Sequence, residues 1–148
     1  NNTNKINIIE KIKNKEVIDK KYLDSGFLLI DLPGYGYSRS SKEYDNLWSD
    51  LIENYFKTSK NIKKVFVLVD IRHEPSPLDL KMIQYLYFNK LPFVVVATKA
   101  DKIAKTKTKQ YIDLLARNLK LASGNIIPCS VESKLGRKEL LSIFDYQD

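Results

Sequence analysis

The sequence has 148 residues, of which 43% are hydrophobic and 29% are charged, a composition that excludes a disordered chain and predicts one soluble globular domain over residues 1–148. Its net charge of +7 suits a partner that carries phosphates and equally suits plain solubility. No apolar run approaches the roughly 18 residues of a membrane span, so no membrane association is expected. A single cysteine excludes an internal disulfide and fits a reducing cytoplasm, and with only one histidine it excludes a Cys/His zinc site.

The first 26 residues combine strand and helix patterns, and their lysines favour a solvated edge strand or hairpin arm. The next segment, "LLIDLPGYGYSRS" (residues 28–40), is an apolar run that ends in Asp31 and continues into a glycine-rich turn. This pattern predicts a strand that brings Asp31 to the edge of a sheet. Asp31 could also be a simple turn or helix cap.

Three further apolar runs follow, and each predicts a strand. They are "KKVFVLVD" from Lys63, "LPFVVVATKAD" from Leu91 and "GNIIPCSV" from Gly124. Strands that are apolar on both faces belong to a sheet covered on both sides, which favours parallel strands with helical crossovers. Cys129, in the last run, is interpreted as a small buried hydrophobe rather than a catalytic thiol.

Helical spacing appears between and after these runs, over residues 43–57, 76–90, 106–121 and 136–144. In the second helix, Ser76 is the predicted N-cap and Pro77 the first-turn residue. The spacing predicts these core positions: Leu47, Leu51, Ile52 and Tyr55 in the first helix, Leu80, Ile83, Leu86 and Tyr87 in the second, and Ile112, Leu115 and Leu119 in the third. The order after residue 26 is β-α-β-α-β-α-β-α, a three-layer α/β domain.

Unusual segments stand at three of the predicted strand ends: "DLPGYG", "TKAD" and "CSVESKLG". In a parallel α/β sheet, ligands bind beyond the carboxyl ends of the strands. Each segment alone is weak evidence for a ligand site, because "TKAD" can be a capped loop and Ser133 can be a helix cap. Together, in this order, they indicate a guanine-nucleotide switch.

The segments "DLPGYGYSRSSKE", "DIRHEPSPLDLKM", "TKADKI" and "CSVESKLGRKEL" resemble the EngB (YihA/YsxC) family of bacterial GTPases over about residues 27–144. The resemblance implies a P-loop NTPase (Ras-like) fold with a mostly parallel sheet. It also implies GTP, GDP and Mg²⁺ as ligands, and a cytoplasmic role in assembly of the large ribosomal subunit and in cell division and septation. The expected partner is the large-subunit precursor, with its rRNA and ribosomal proteins, and the intact family is expected to be monomeric.

The resemblance also assigns site residues. Asp101 would accept hydrogen bonds from guanine N1–H and the 2-amino group, and the stem of Lys99 would lie over the base while its ammonium stays in water. Ser130 and Val131 would reach guanine O6 through backbone N–H groups. Thr98, where many GTPases have Asn, and Lys102 complete the expected base site.

On the phosphate side, the resemblance implies that Asp31 holds a magnesium-bound water and that Gly34, after Pro33, offers its backbone N–H to the γ-phosphate. Thr3 is the expected switch threonine on Mg²⁺. Tyr35 follows Gly34 where many GTPases have a Gln that orients water, so intrinsic hydrolysis is expected to be slow.

The sequence has five glycines, all at or after Gly26, and contains no G-x-x-x-x-G-K-[ST] loop. In the family, that loop lies upstream of the matched region together with the first strand and first helix, so we expect the chain to be an N-terminally truncated GTPase domain. Whether it hydrolyses GTP is left open. One alternative is a fragment or degenerate domain that binds ribosomal RNA or protein without nucleotide, and another is an inert α/β domain stabilised by oligomerisation.

Three more polar residues have both a functional and a simpler structural interpretation. His73 is the only histidine, and we favour a structural hydrogen bond over a catalytic role. Arg72 and Arg39 are candidates for rRNA phosphates, although a solvated surface charge is the simpler interpretation.

Overall fold

The computed structural model describes residues 30–32, 50 and 52–145. Contacts divide the chain into two compact units, Asn1–Tyr55 and Phe56–Asp148. In the first unit, residues 30–32 have no regular secondary structure, and residues 50 and 52–55 are helical. Ile52 is buried there, as predicted, whereas predicted core residues Leu47 and Leu51 lie outside the residues whose side chains the structure describes.

The second unit begins with helical residues 56–58, which with residues 52–55 make up α1. The strands are β1 (Val65–Asp70), β2 (Phe93–Thr98) and β3 (Ile126–Pro128), and the helices are α2 (Pro77–Phe88), α3 (Thr108–Leu119) and α4 (Arg137–Asp145). The predicted strands and helices of this unit are therefore confirmed. Each is shorter than its sequence pattern except α4, which has the predicted length and begins one residue later. Short 3₁₀ turns cover Ala100–Lys102, Lys105–Lys107 and Ser123–Asn125.

The three strands form a parallel sheet in the order β1-β2-β3. β1 pairs with β2 from Val65↔Phe93 to Asp70↔Thr98, and β2 pairs with β3 from Val95↔Ile126 to Ala97↔Pro128. Since parallel strands point the same way, the segments after β1, β2 and β3 meet at one edge of the sheet.

The sheet is covered unevenly. In β2 the four residues from Val94 to Ala97 are all buried, as a strand covered on both faces requires. In β1, Val67 and Val69 are buried but Leu68 is 65% exposed. The described residues therefore leave Leu68 largely uncovered, so the cover predicted on both faces of the strands is not seen at this position of β1.

The core lies between the sheet and its helices. From α3, Ile112, Leu115 and Leu119 are buried as predicted, and from α2 the buried residues are Met82, Ile83 and Leu86. Tyr87 is 75% exposed, which corrects its predicted place in the core, because Leu86 already occupies the buried face at that turn. The rings of Phe56 and Tyr85 stack at 5.8 Å between centroids.

α2 begins where the sequence predicted. The Ser76 hydroxyl accepts a hydrogen bond from the Asp79 backbone N–H (3.1 Å), and the Ser76 N–H donates to the Asp79 carboxylate (2.7 Å). Pro77 occupies the first helical position. This reciprocal capping box satisfies two N–H groups that a helix start otherwise leaves unpaired.

Among the described residues, no helix is long and apolar enough to cross a membrane.

Candidate functional site

Two loops meet at the carboxyl edge of the sheet, one after β2 (residues 99–102) and one after β3 (residues 129–136). The Cys129 N–H donates to the Ala97 carbonyl (2.8 Å), and the Ala100 N–H donates to the Cys129 carbonyl (3.0 Å). These two backbone bonds continue the β2–β3 pairing into the loops. The loops are therefore held against each other by the sheet itself.

The loop after β2 turns sharply at Lys99. Its φ of +60° is in the left-handed region, which a residue with a side chain seldom adopts. Buried Ala100 and the bond from the Lys102 N–H to the Lys99 carbonyl (3.0 Å) hold this turn. The turn sets Asp101 beside the loop after β3.

Asp101 is the carboxylate at the centre of the site. The Ser130 hydroxyl donates to Asp101 Oδ1 at 2.7 Å, and Lys102 Nζ lies 3.2 Å from Asp101 Oδ2. Ser130 is buried (3% exposed), and its hydroxyl also accepts a hydrogen bond from the Ser133 N–H (3.1 Å). The Ser130 hydroxyl, and then Lys102, lower the pKa of Asp101 below its ordinary value.

Asp101 is consequently an ionised hydrogen-bond acceptor at neutral pH. A carboxylate has about four lone-pair sites, and each oxygen here makes one bond, so both retain the capacity to accept from a ligand. A ligand that presents two adjacent N–H donors would match this group. The predicted meeting of Asp101, Lys102 and Ser130 is thus seen in the structure.

The predicted use of the Ser130 backbone differs from what is observed. The Ser130 N–H donates to the Leu135 carbonyl at 3.1 Å, which closes the loop after β3. It is therefore not directed at a ligand, and Ser130 contributes through its hydroxyl. Val131 is 91% exposed, and its N–H makes no backbone hydrogen bond within the described part of the chain, so it stays the candidate donor.

An ion cluster that the sequence analysis missed lies beside the turn at Lys99. Lys99 Nζ is 2.9 Å from Asp70 Oδ2, and Arg72 donates to both oxygens of Asp70. Arg72, and then Lys99, hold the pKa of Asp70 well below its ordinary range. The sequence does show an Asp at the end of one strand run and a Lys just after the next strand run. Only the register of β1 against β2, however, brings the two side chains together.

This cluster corrects two expectations. The Lys99 ammonium is paired with Asp70 rather than only hydrated, although the side chain is 51% exposed. Arg72 makes a two-pronged bond with Asp70 rather than standing as a solitary surface charge. The bond to Asp70 raises the pKa of Arg72, so its guanidinium stays charged.

Thr98 fastens β2 to β1. Its hydroxyl donates to the Val69 carbonyl (3.2 Å), and its own carbonyl accepts from the Ile71 N–H (3.1 Å). At this position Thr98 therefore holds the two strand ends together, beside the turn that begins at Lys99.

Several predicted residues fall elsewhere. Thr3, Pro33, Gly34, Tyr35 and Arg39 lie outside the described residues. Asp31 is described and exposed, but it lies in an irregular segment, so the strand predicted to end there is not seen at residues 30–31. The other residues of that predicted strand, 28–29, lie outside the described part of the chain.

Metal-binding side chains are not clustered among the described residues. No three of their His, Cys, Asp and Glu side chains lie together as a metal-binding group. Mg²⁺ typically takes one or two protein carboxylates and completes its shell with phosphates and water. Of the two candidate magnesium residues, Thr3 and Asp31, only Asp31 lies among the described residues.

The side chains of the histidine and the cysteine take no part in this site. His73 is exposed, and the bond it makes among the described residues runs from its backbone N–H to the Asp70 carbonyl (3.2 Å), so the favoured side-chain hydrogen bond is not seen. Cys129 is half-buried, and burial raises the pKa of its thiol, which keeps it protonated and unreactive.

No family model matches the chain. Three relatives are each named "Probable GTP-binding protein EngB". The protein of Caldanaerobacter subterraneus is 41% identical over 123 residues (83% of this chain, 63% of the relative). That of Pelotomaculum thermopropionicum is 41% identical over 118 residues (79% and 60%), and that of Desulforapulum autotrophicum is 33% identical over 130 residues (88% and 67%). The chain thus spans less than two thirds of the first two relatives.

A solved structure, described as the crystal structure of a probable GTP-binding protein engB, superposes with a TM-score of 0.65. It is 22% identical to this chain, and the match covers 80% of this chain and 78% of that one. At this identity the likeness establishes the fold alone. It confirms the predicted α/β fold of the P-loop NTPase class.

Proposed function

Because the chain belongs to the EngB family, we propose that it carries the base-recognition part of a GTP-binding protein, with GTP and GDP as its ligands. The observation that supports this most directly is the Asp101 carboxylate, which is ionised, fixed by the buried Ser130 and turned into the junction of two loops. The names of the relatives agree with this ligand class.

The chemistry of guanine fits Asp101. Guanine presents N1–H and the 2-amino group side by side, so one carboxylate can accept from both. Adenine has an acceptor at N1 and no 2-amino group, and would leave the carboxylate without partners. A site that hydrogen-bonds one ligand discriminates strongly against an analogue that lacks the donors, because its own polar groups are then left unpaired.

Calorimetric titration with GDP and, separately, ADP in the presence of Mg²⁺ tests the proposal. We expect heat of binding with GDP and none with ADP. The Asp101→Asn variant should lose GDP binding and gain binding of xanthosine diphosphate, because an amide can donate to the C2 carbonyl of xanthine. Asp113→Asn is the matched control, since Asp113 pairs with Ser123 in a loop that leads into the opposite, amino end of β3.

Equal binding of ADP would contradict guanine recognition. Binding of neither nucleotide would overturn the proposal for this chain while leaving its family membership in place.

The family resemblance also supports the proposal that the protein binds Mg²⁺ and hydrolyses GTP. Thr3 and Asp31 are the candidate magnesium ligands, and Pro33 and Gly34 the candidate contacts to phosphate. Hydrolysis of GTP, if this chain performs it, should be slow because Tyr35 stands where a water-orienting Gln is common. Phosphate release from GTP under single-turnover conditions measures it.

We further propose that the protein acts in the bacterial cytoplasm on the precursor of the large ribosomal subunit, and through it in cell division. A basic segment at the start of α3 supports a phosphate-bearing partner: Lys105, Lys107 and Lys109 are all exposed. The first turn of α3 contains no acidic residue to neutralise them. Polyanions such as rRNA bind to clusters of this kind largely through phosphate contacts.

Binding of a large-subunit rRNA fragment across a salt series tests the partner. Affinity should fall with salt, and the double variant Lys105→Ala/Lys107→Ala should flatten the logarithmic slope by about 1 to 2, since each lost phosphate contact removes about 0.7 to 0.9. Lys63→Ala/Lys64→Ala, at the amino end of β1, is the control. An affinity for RNA that does not change when GDP is added would favour the alternative, a nucleotide-independent binding module.

A further inference from the structure

We propose that Asp70 is a positioning residue that holds the Lys99 side chain in the orientation needed to bind the guanine base. The inference rests on the proposed function, because Lys99 is the residue whose stem is expected to lie against the base. It adds to that site a carboxylate from β1, a strand that the expected set of base-binding residues does not include.

The strand register brings the two residues together. Asp70 is paired with Thr98 at the end of the β1–β2 ladder, so Lys99 is the next residue after the pair. The Thr98 hydroxyl bonds to the Val69 carbonyl (3.2 Å), and the Ile71 N–H bonds to the Thr98 carbonyl (3.1 Å). The backbones that carry Asp70 and Lys99 are thus fixed to each other on both sides of the contact.

Arg72 fixes the Asp70 carboxylate in turn. The Arg72 backbone N–H (3.1 Å) and Nε (2.9 Å) donate to Oδ1, and Nη2 donates to Oδ2 at 2.7 Å. A planar guanidinium that reaches both oxygens sets the plane of the carboxylate as well as its position. Asp70 Oδ2, which also receives the Lys99 ammonium at 2.9 Å, therefore points in one defined direction.

Lys99 needs such an anchor more than most lysines do. Its backbone is held in the left-handed region (φ +60°), and its side chain is 51% exposed, so packing alone does not select a rotamer. When the Lys99 ammonium is bonded to Asp70, the four-carbon stem of Lys99 is held at both ends, by the backbone and by the ion pair. A stem ordered before the ligand arrives lowers the entropy lost on binding.

The experiment measures GDP affinity in a double-mutant cycle on the 148-residue chain. The four proteins are the wild type, Asp70→Asn, Lys99→Met and the double variant. Asp70→Asn should weaken GDP binding by about two- to fivefold in the Lys99 background, as expected for a partly exposed ion pair. In the Lys99→Met background it should change affinity by less than about twofold, because the ammonium it acts on is gone.

A second readout needs no nucleotide, and its first comparison uses the wild type alone. In spectra of ¹⁵N-labelled lysine ammonium groups, Lys99 of the wild type should show slower hydrogen exchange and less motion than exposed Lys105, because its N–H groups are bonded to Asp70. In Asp70→Asn the Lys99 signal should become like that of Lys105. Asp113→Asn, the matched control, should leave both signals and GDP affinity unchanged.

The outcomes separate the two proposals. If the wild type binds GDP but Asp70→Asn binds it equally well, or weakens it to the same extent with and without Lys99, the positioning role is overturned and the proposed function stands. A Lys99 ammonium as mobile as Lys105 in the wild type overturns it as well, even if Asp70→Asn fails to fold. If the wild type binds no guanine nucleotide, the proposed function fails first and the positioning role fails with it.

Discussion

At the scale of single residues, the Ser130 hydroxyl links the two loops of the site. It donates to Asp101 and accepts from the Ser133 N–H, and it is buried. Ser130→Ala should therefore raise the pKa of Asp101 towards its ordinary value and lower the free energy of unfolding by about 1 kcal/mol or more, because the Ser133 N–H loses its partner. Carboxyl NMR titration and urea unfolding measure the two effects.

Ser123→Ala serves as the control for Ser130→Ala. Its hydroxyl makes an exposed bond to Asp113 (2.9 Å), so its loss should change stability by only a few tenths of a kcal/mol. A Ser130→Ala protein that matches Ser123→Ala in stability and leaves the titration of Asp101 unchanged would contradict this account of the site.

The Asp70 cluster should also be visible in the response to acid. Arg72 lowers the pKa of Asp70 in the folded protein, whereas an unfolded aspartate has a pKa of about 3.9. The ionised form thus contributes stability that is complete above pH about 4 and is lost as the pH falls below it. Asp70→Asn should show a shallower decline in the free energy of unfolding from pH 5 to pH 2, measured by urea titration at each pH. Parallel curves for the two proteins would count against the cluster.

What the sequence predicts at this scale depends on distance along the chain. Asp101 with Lys102 is a local pair, and Ser130 was already marked by its place after a strand. The Asp70–Lys99 contact joins residues on two strands, and it exists only because β1 and β2 pair in one register. A one-residue slip would change which residue lies opposite Asp70 and so its distance from Lys99, and the sequence alone does not give the register.

At the scale of elements, the start of α4 is pressed against the end of β3. Gly136 has φ +75°, and a Cβ there would meet the Pro128 carbonyl oxygen and come within 3.3 Å of the Cys129 Cα. Gly136→Ala should therefore lower the free energy of unfolding by about 2 kcal/mol or more, from backbone strain and from displacement of β3. Thermal and urea unfolding would measure the loss.

Gly124→Ala is the matched control for that change. A Cβ at Gly124 meets nothing within 4 Å, so the substitution should be neutral or slightly stabilising by restricting the unfolded chain. Equal stability of the two alanine variants would show that the contact between Gly136 and Pro128 is unimportant.

The elements of the second unit were largely predictable because their signals are local. Ser76 and Pro77 mark the start of α2, and continuous apolar runs mark the strands. The exposure of Leu68 and Tyr87 was not predictable in the same way. An apolar residue goes to the core only where the tertiary structure covers its face, and the sequence pattern of β1 is the same whether or not that cover exists.

At the scale of the whole molecule, stability should be concentrated at β2. This strand pairs on both sides, and Val94 to Ala97 are buried without interruption. In native-state hydrogen exchange, the amides of β2 should exchange most slowly among the described elements, and those of α4, whose side chains are mostly exposed, faster. Slower exchange in α4 than in β2 would contradict this distribution.

The capping box of α2 has a consequence for how the chain folds. β1 and β2 lie far apart in sequence, and their pairing begins at Val65 with Phe93, across the whole of α2. Closing a flexible segment of that length is slow, because its entropy is lost before any contact compensates. A helix that carries its own start signal at Ser76 and Asp79 shortens the segment before the strands meet. Two hydrogen bonds at the start of one helix would thereby help set the rate at which the sheet, and the site at its edge, first assembles.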